Sequence, residues 1–397
     1  MVRYNNHWRL LLIIYCALGF SACNVINLES EADLPDLPYA LDLQSAIDQV
    51  LIDNPVDHPL GLSAAVIVPG YEPWLDVAGY SQADVPITTD MIFDAGSIEK
   101  SFQAALIMEL AAEGRLALDD PISDYLPDLP NMDESATIRQ LLNHTSGIAN
   151  VFEHPEFPWL GPDVDYSRNW ELEEVFSNFV LPPYDSPGRV QHYSSTNYLL
   201  ATKIVEVVTG SSVPSEIQQR FLEPMKLQHT FISMGEEPIL GDTVAHAWMD
   251  VDSDGVLEDI YGIPRTWQAS LTHPVMFANA NDLARWTHSL YHEGIILNAS
   301  MMEEMLTFPE EVLRDPEGGI YGLGVVDYSN ILGEEAIGHL GSSLGYTAAA
   351  LYLPEYEISV AWLINIGQSP HDLAARLMRE TWASVMEVLE KNRNWQQ

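Results

Sequence analysis

The residues best placed to do chemistry in this chain lie in the run Ser97-Ile98-Glu99-Lys100. A serine hydroxyl is almost wholly protonated at neutral pH, so it acts as a nucleophile only with a base within hydrogen-bond reach. At helical spacing i and i+3 the serine and lysine share one face, a turn apart. At the start of a helix, backbone amides also stabilise negative charge developing on the serine. Lys100 can accept a proton only if its pKa falls. Burial and the nearby helix N-terminus would both cause that, so the spacing predicts a buried Lys100. Taken alone, the pair also fits a helix N-cap followed by a solvated lysine.

Two later runs keep the pair company: His192-Tyr193-Ser194-Ser195-Thr196-Asn197-Tyr198, and His339-Leu340-Gly341 ahead of the C-terminal apolar runs. In order and spacing the three resemble the motifs of the serine β-lactamase-like and penicillin-binding-protein family, which groups class C β-lactamases, D-alanyl-D-alanine carboxypeptidases and family VIII-type esterases. Leu141-Leu142-Asn143-His144-Thr145-Ser146-Gly147, Asn281-Asp282-Leu283, Tyr321-Gly322-Leu323-Gly324 and Gly345-Tyr346 extend the resemblance over roughly residues 40–390.

The resemblance implies that Ser97 is the nucleophile, Lys100 its activating partner and Tyr193 the hydroxyl that shares the proton. His339 takes the first position of the third motif. Backbone amides of Ser97 and of Ser342, the residue after Gly341, would form the oxyanion hole. The implied reaction is two-step acyl transfer on an ester or amide, with no cofactor. Its substrate would be a small molecule or peptide, with cell-wall peptide, carboxylic ester and β-lactam all open. Two positions depart from the pattern. Ser195 stands where the family usually has asparagine, so either Asn197 partly replaces that amide or the site favours esters, and efficient β-lactam hydrolysis is put in doubt. His339 makes the third motif's positive charge pH-dependent, weakening any grip on a substrate carboxylate above its pKa; a structural edge-strand histidine is the plainer alternative.

Other chemistry-bearing patterns compete. Gly341-Ser342-Ser343-Leu344-Gly345 matches the nucleophile elbow of α/β-hydrolases with Ser343 as nucleophile, but strand-like residues follow where that elbow needs a helix. Asp250-Val251-Asp252-Ser253-Asp254-Gly255 resembles the first half of a structural calcium loop, with Glu258 and Asp259 as further ligands. Tyr261 stands where a twelfth-position glutamate would be, and an acidic turn is the plainer reading of the run. His288 and His292 are four apart without the glutamate of a metalloprotease helix and read as surface histidines. The aromatics Phe152, Phe157, Trp159, Tyr166 and Trp170 form either a cleft wall or lobe core. A catalytically inactive binding module would be expected to lack Ser97, Lys100 or Tyr193, and all three are present.

The elements that must position these residues are legible in part. Leu41–Ile52 has helical periodicity, Gly61–Val68 and Trp74–Tyr80 read as a hairpin, and Ser97–Leu116 as an apolar helix opened by Ser97. Tyr346–Leu353 and Ile358–Ile366 flank Pro354-Glu355 as a second hairpin, and His371–Lys391 is an amphipathic helix. Strands at both ends with helices between imply an α+β fold: one antiparallel sheet from N- and C-terminal parts within a domain over 41–397, with a mainly helical lobe inserted at about 120–310.

With 397 residues and 47% apolar content, the chain can bury a sizeable core. A net charge of −41 would repel phosphate backbones and anionic headgroups, so nucleic acid is excluded as a partner. So acidic a chain, with lysine only at 100, 203, 226 and 391, fits a protein kept soluble in salty surroundings. Arg3 and Arg9, the apolar run Leu10–Phe20 and the small residues Ser21 and Ala22 have the layout of an export signal over 1–22, and the apolar run is too short to span a bilayer. Phe20-Ser21-Ala22-Cys23 resembles a lipobox, which implies a lipidated Cys23, a solvated tether over 23–40 and a lipoprotein facing the periplasm or cell surface. The membrane would then be met only through the anchor. Cys16 falls within the signal, leaving no internal disulfide.

Overall fold

A computed structural model describes residues 34–126, 128–158, 160, 163–234, 243–252, 254–263, 274–309, 312–314, 319–367 and 373–392. The expected export signal over 1–22, Cys23, Trp159 and Ser253 lie outside these residues.

The apolar, β-branched runs at the two ends of the chain meet in one antiparallel sheet of eight strands. Gly61–Ile67 joins the two ends: it pairs with Trp74–Gln82 on one side and with Ile358–Ile364 on the other, placing Leu62 opposite Ile364 and Ala65 opposite Ala361. Tyr346–Leu353 and Ile337–Ser343 continue the sheet towards the short strands Val326–Asp327 and Ile320–Tyr321, and Val85–Pro86 closes the other edge. Both expected hairpins are present.

The strands alternate between two layers, as a period of two requires. Leu62, Ala64, Val66, Val360 and Trp362 face a layer made by helices Ala40–Asp53 and Leu373–Lys391. Ala65, Ile67, Ala361 and Leu363 face the other layer with Ile98, Phe102 and Trp286. Helix Glu99–Ala112 runs through that second layer and is buried almost throughout, polar in its first turn at Glu99, Lys100, Ser101 and Gln103 and mainly apolar beyond. The ring of Phe102 stacks on Trp286 at 3.7 Å and 11°, and Trp286 Nε1 donates to Ser101 Oγ at 2.9 Å.

Three expectations change. Residues 120–310 do not all form a separate helical lobe, because helix Ala280–Thr287 packs against Gly61–Ile67 and Ile358–Ile364 and belongs to the sheet's second layer. The apolar cluster also continues without a break from the sheet into helices Leu172–Phe179 and Ser195–Thr209. The tether gives way to packed chain before residue 40, since Leu37 and Tyr39 are buried under the first helix. Finally, Ser97 lies in a tight turn, Gly96–Ile98, that leads into the helix at Glu99.

Because Phe102 and Trp286 tie the central helix to the sheet layer, Phe102→Ala is expected to cost about 3–5 kcal/mol of stability by denaturant unfolding. A loss below about 1 kcal/mol would contradict this account of the core.

Candidate active site

Three elements converge on Ser97. The first is its own turn, pinned by Gly96 N–H donating to Asp94 Oδ1 at 2.8 Å and by Ala95 N–H donating to Met276 O at 2.8 Å. The second is strand Ile337–Ser343, which lies directly on that turn. A Cβ at Gly96, whose φ is +52°, would sit 2.8 Å from Ser342 N, and one at Gly341 would sit 2.0 Å from Ala95 O. Glycine is required at both places for backbone to meet backbone. This contact brings Ser342 beside Ser97, where an amide pair could hold an oxyanion. The third element is the segment before helix Ser195–Thr209, which carries Tyr193.

Tyr193 Oη stands 2.7 Å from Ser97 Oγ, and Lys100 Nζ stands 3.4 Å from the same oxygen. Ser97 and Tyr193 are half-buried and Ser342 is exposed, so the cluster opens to solvent on that side, while Lys100 is only 6% exposed. Its ammonium lies over the rings of Tyr193 and Tyr198, at 5.7 and 5.5 Å from their centroids, and 3.3 Å from Glu99 Oε1. The burial expected of Lys100 is found; the lowered pKa is not. Burial pushes the amine down, but the neighbouring Tyr193 hydroxyl and Glu99 carboxylate outweigh it and the net direction is upward. Burial likewise pushes the Glu99 carboxyl up, against the pull of Lys100 and Gln103.

His339 is buried, with Nδ1–H donating to Leu340 O at 2.6 Å and Nε2 unpartnered among the described residues. Burial, with the Lys100 charge nearby, pushes it down to about 4. It is therefore neutral at ordinary pH and cannot serve as the pH-dependent cation expected of the third motif. Asn197 does not replace the family's asparagine either. It is fully buried, its Oδ1 accepting from Ser146 Oγ at 2.6 Å and its Nδ2 lying 3.2 Å from His144 Nδ1. Ser195 is held through its backbone N–H, which donates to Asn150 Oδ1 at 3.3 Å.

Sequence reasoning assigned no role to two residues that shape the site. The His144 ring lies 4.4 Å from the Tyr193 ring and 4.8 Å from Tyr321. Its Nδ1 accepts from Ser194 N–H at 3.1 Å, its backbone adopts φ +58°, and its carbonyl accepts from His192 N–H at 2.9 Å. His144 therefore fixes the chain on both sides of Tyr193. The other residue is Glu99, which the sequence shows only as the residue between Ile98 and Lys100. The only signal for His144 was the run Asn143–Gly147; for Glu99 it was Gln103 four residues on.

The rival patterns resolve differently. Ser343 ends a strand and pairs with Tyr346 across a two-residue turn, so no nucleophile elbow forms there. Asp250, Asp252 and Asp254 gather within 4.8 Å and accept from backbone N–H groups of Asp254, Gly255 and Val256, an arrangement common to calcium loops and acidic turns. Glu258 is taken by Val251 N–H, and Asp259 by His246 and Tyr261 N–H. His288 is not a surface histidine: half-buried, it stacks on His292 at 4.5 Å and meets Ser359 Oγ at 3.3 Å. Phe157 packs among Phe152 and Phe179, with Trp170 also on Phe179, an apolar cluster in the interior of the helical region.

An antiparallel sheet covered by helices, with a Ser–Lys–Tyr cluster at the head of the central helix, is the β-lactamase/transpeptidase-like fold. Residues 51–381 match the Beta-lactamase family, and the chain belongs to it. Among curated relatives, Penicillin-binding protein 4 of Amycolatopsis lactamdurans is 34% identical over 164 residues, 39% of this chain and 39% of the relative. Penicillin-binding protein 4* of Bacillus subtilis (strain 168) is 25% identical over 296 residues, 70% of this chain and 62% of the relative. The chain thus spans about two fifths to three fifths of the length of these relatives. A D-stereospecific amidohydrolase from Streptomyces sp. superposes with a TM-score of 0.73 at 26% identity, over 86% of this chain and 98% of that one.

The depressed pKa of His339 has a signed consequence. Between about pH 6.5, where an unfolded histidine titrates, and about 4, the unfolded chain binds a proton that the folded chain does not. Stability therefore rises with pH through this window and falls on acidification. Equilibrium unfolding from about pH 7 to pH 5 should show a shallower fall for His339→Gln than for the parent; equal slopes would contradict a buried neutral His339.

Proposed function

We propose that this chain is a serine hydrolase that forms an acyl-enzyme on Ser97 and cleaves amide or ester bonds in small substrates or peptides, with D-amino-acid amides and esters the favoured class. The 2.7 Å contact between Ser97 Oγ and Tyr193 Oη, with Lys100 Nζ 3.4 Å from the same oxygen, carries the reading. Ser97 attacks the substrate carbonyl as its proton passes to Tyr193 Oη, the nearer group, which gives up its own hydroxyl proton towards the leaving group, while the Lys100 ammonium stabilises the charge. Amides of Ser97 and Ser342 receive the oxyanion. The leaving nitrogen or oxygen departs with the proton relayed by Tyr193, and water then releases the acyl group. No step calls for a cofactor.

The substrate class draws on the family and its neighbours: penicillin-binding proteins and a D-stereospecific amidohydrolase. With a serine at position 195, and with Asn197 bound to Ser146 and His144, the site lacks the asparagine amide that would meet the carbonyl of a β-lactam. Esters and unstrained D-amides are therefore preferred over penicillins. We further infer that the chain is exported and lipidated on Cys23, which places it at the membrane by its anchor alone. No helix among the described residues is long and apolar enough to cross a membrane. A mass spectrum of the mature protein with unmodified Cys23 would refute the anchor.

The hydrolase reading is tested with paired D- and L-amino-acid amides and esters alongside a penicillin. The D-series should be turned over fastest and the penicillin slowest. Tyr193→Phe should lose about 10²–10⁴-fold and Ser97→Ala at least about 10³-fold in kcat/KM while remaining folded. Activity retained in Ser97→Ala would overturn the mechanism, and a preference for the L-series would overturn the substrate class.

A further inference from the structure

Adjacent residues on a helix point to different faces, so the carboxylate between Ser97 and Lys100 would ordinarily face away from both. Here the chain passes from the tight turn Gly96–Ile98 into the helix at Glu99, and the side chain turns inward to 5% exposure. Glu99 Oε1 lies 3.3 Å from Lys100 Nζ, and Oε2 accepts from Gln103 Nε2 at 2.5 Å. Gln103 Oε1 in turn accepts from Thr202 Oγ1 at 3.2 Å, so a buried chain of contacts runs from helix Ser195–Thr209 to the ammonium. A carboxylate buried this deeply persists only with such partners. The acyl-transfer steps above do not use it.

We propose that Glu99 is a positioning residue that holds the Lys100 ammonium charged and fixed, so that the Ser97 proton goes to Tyr193 and not to Lys100. This deepens the acyl-enzyme reading and rests on it. The Ser97 O–H bond breaks as its oxygen bonds the substrate carbon. Tyr193 Oη accepts that proton as it hands its own hydroxyl proton to the leaving group, so the proton counts of Tyr193, Lys100 and Glu99 do not change. The upward direction of the Lys100 pKa agrees. The other titratable groups facing the pair are Asp94 from strand Phe93–Asp94, Tyr193 and Tyr198 from the neighbouring helix and its lead-in, and His144 and His339 across the ammonium.

The chain has four lysines, Lys100, Lys203, Lys226 and Lys391, so Nζ-labelled lysine in the mature protein gives a readable set of NMR resonances, with Lys100 assigned by its loss in Lys100→Met. Removing the negative charge frees the ammonium's proton earlier. In Glu99→Gln the Lys100 resonance should therefore titrate at least about one pH unit lower than in the parent, while Glu99→Asp stays near the parent. The alkaline limb of the Ser97 labelling rate with a fluorophosphonate should move down by the same amount. A Lys100 titration and pH–rate profile unchanged in Glu99→Gln would overturn the proposal, even if that variant melted earlier, because a merely structural role moves stability alone. Should Glu99→Gln fail to fold, Gln103→Met, which strips Glu99 of its second partner, should give a smaller shift in the same direction; no shift overturns the proposal. Absent labelling of the parent's Ser97 would overturn the acyl-enzyme reading, and the Lys100 titration would still decide whether Glu99 holds the ammonium.

Discussion

The site depends on keeping one ammonium out of water. Taking a lysine charge into a protein interior costs several kcal/mol unless hydrogen bonds and counter-charges offset it. Around Lys100 the compensation is complete: a carboxylate at 3.3 Å, a serine oxygen at 3.4 Å and two tyrosine rings beneath the amine. Each of these groups is held by another part of the fold. Tyr198 Oη donates to Leu142 O at 2.9 Å, Tyr193 follows the chain fixed by His144, and Glu99 is gripped by Gln103.

The sheet gives this arrangement its rigidity. Strand Ile337–Ser343 reaches the Ser97 turn only because Gly96 and Gly341 leave room for backbone contact, and its place in the sheet is fixed by seven-residue pairing with Tyr346–Leu353. The central helix is held from behind by the Phe102–Trp286 stack, which ties it to the layer built by the first and last strands. A displacement of either would move Ser97 relative to Ser342, and acyl transfer tolerates little such movement.

What could be read from the sequence followed local rules. Short apolar runs on either side of a turn gave both hairpins, helical spacing gave the central and terminal helices, and the Ser97–Lys100 spacing, with the Tyr193 motif that the family resemblance supplied, pointed to the cluster. What could not be read depends on contacts far apart in the chain. Nothing local says that helix Ala280–Thr287 packs on the sheet and not in the lobe, since an amphipathic face does not name its partner. The direction of the Lys100 shift was missed because Glu99 turns inward only where the tight turn meets the helix. The neutrality of His339 follows from how deeply its strand is buried, and Asn197 could be set aside only once Ser146 and His144 stood beside it.

The central claim is that Ser97 is the nucleophile. The most direct measurement is reaction of the active mature protein with a tagged fluorophosphonate, followed by mass-spectrometric mapping of the modified peptide. Label on Ser97, lost in Tyr193→Phe, is the predicted result; label on Ser343, or none on protein that still hydrolyses its substrate, would contradict it.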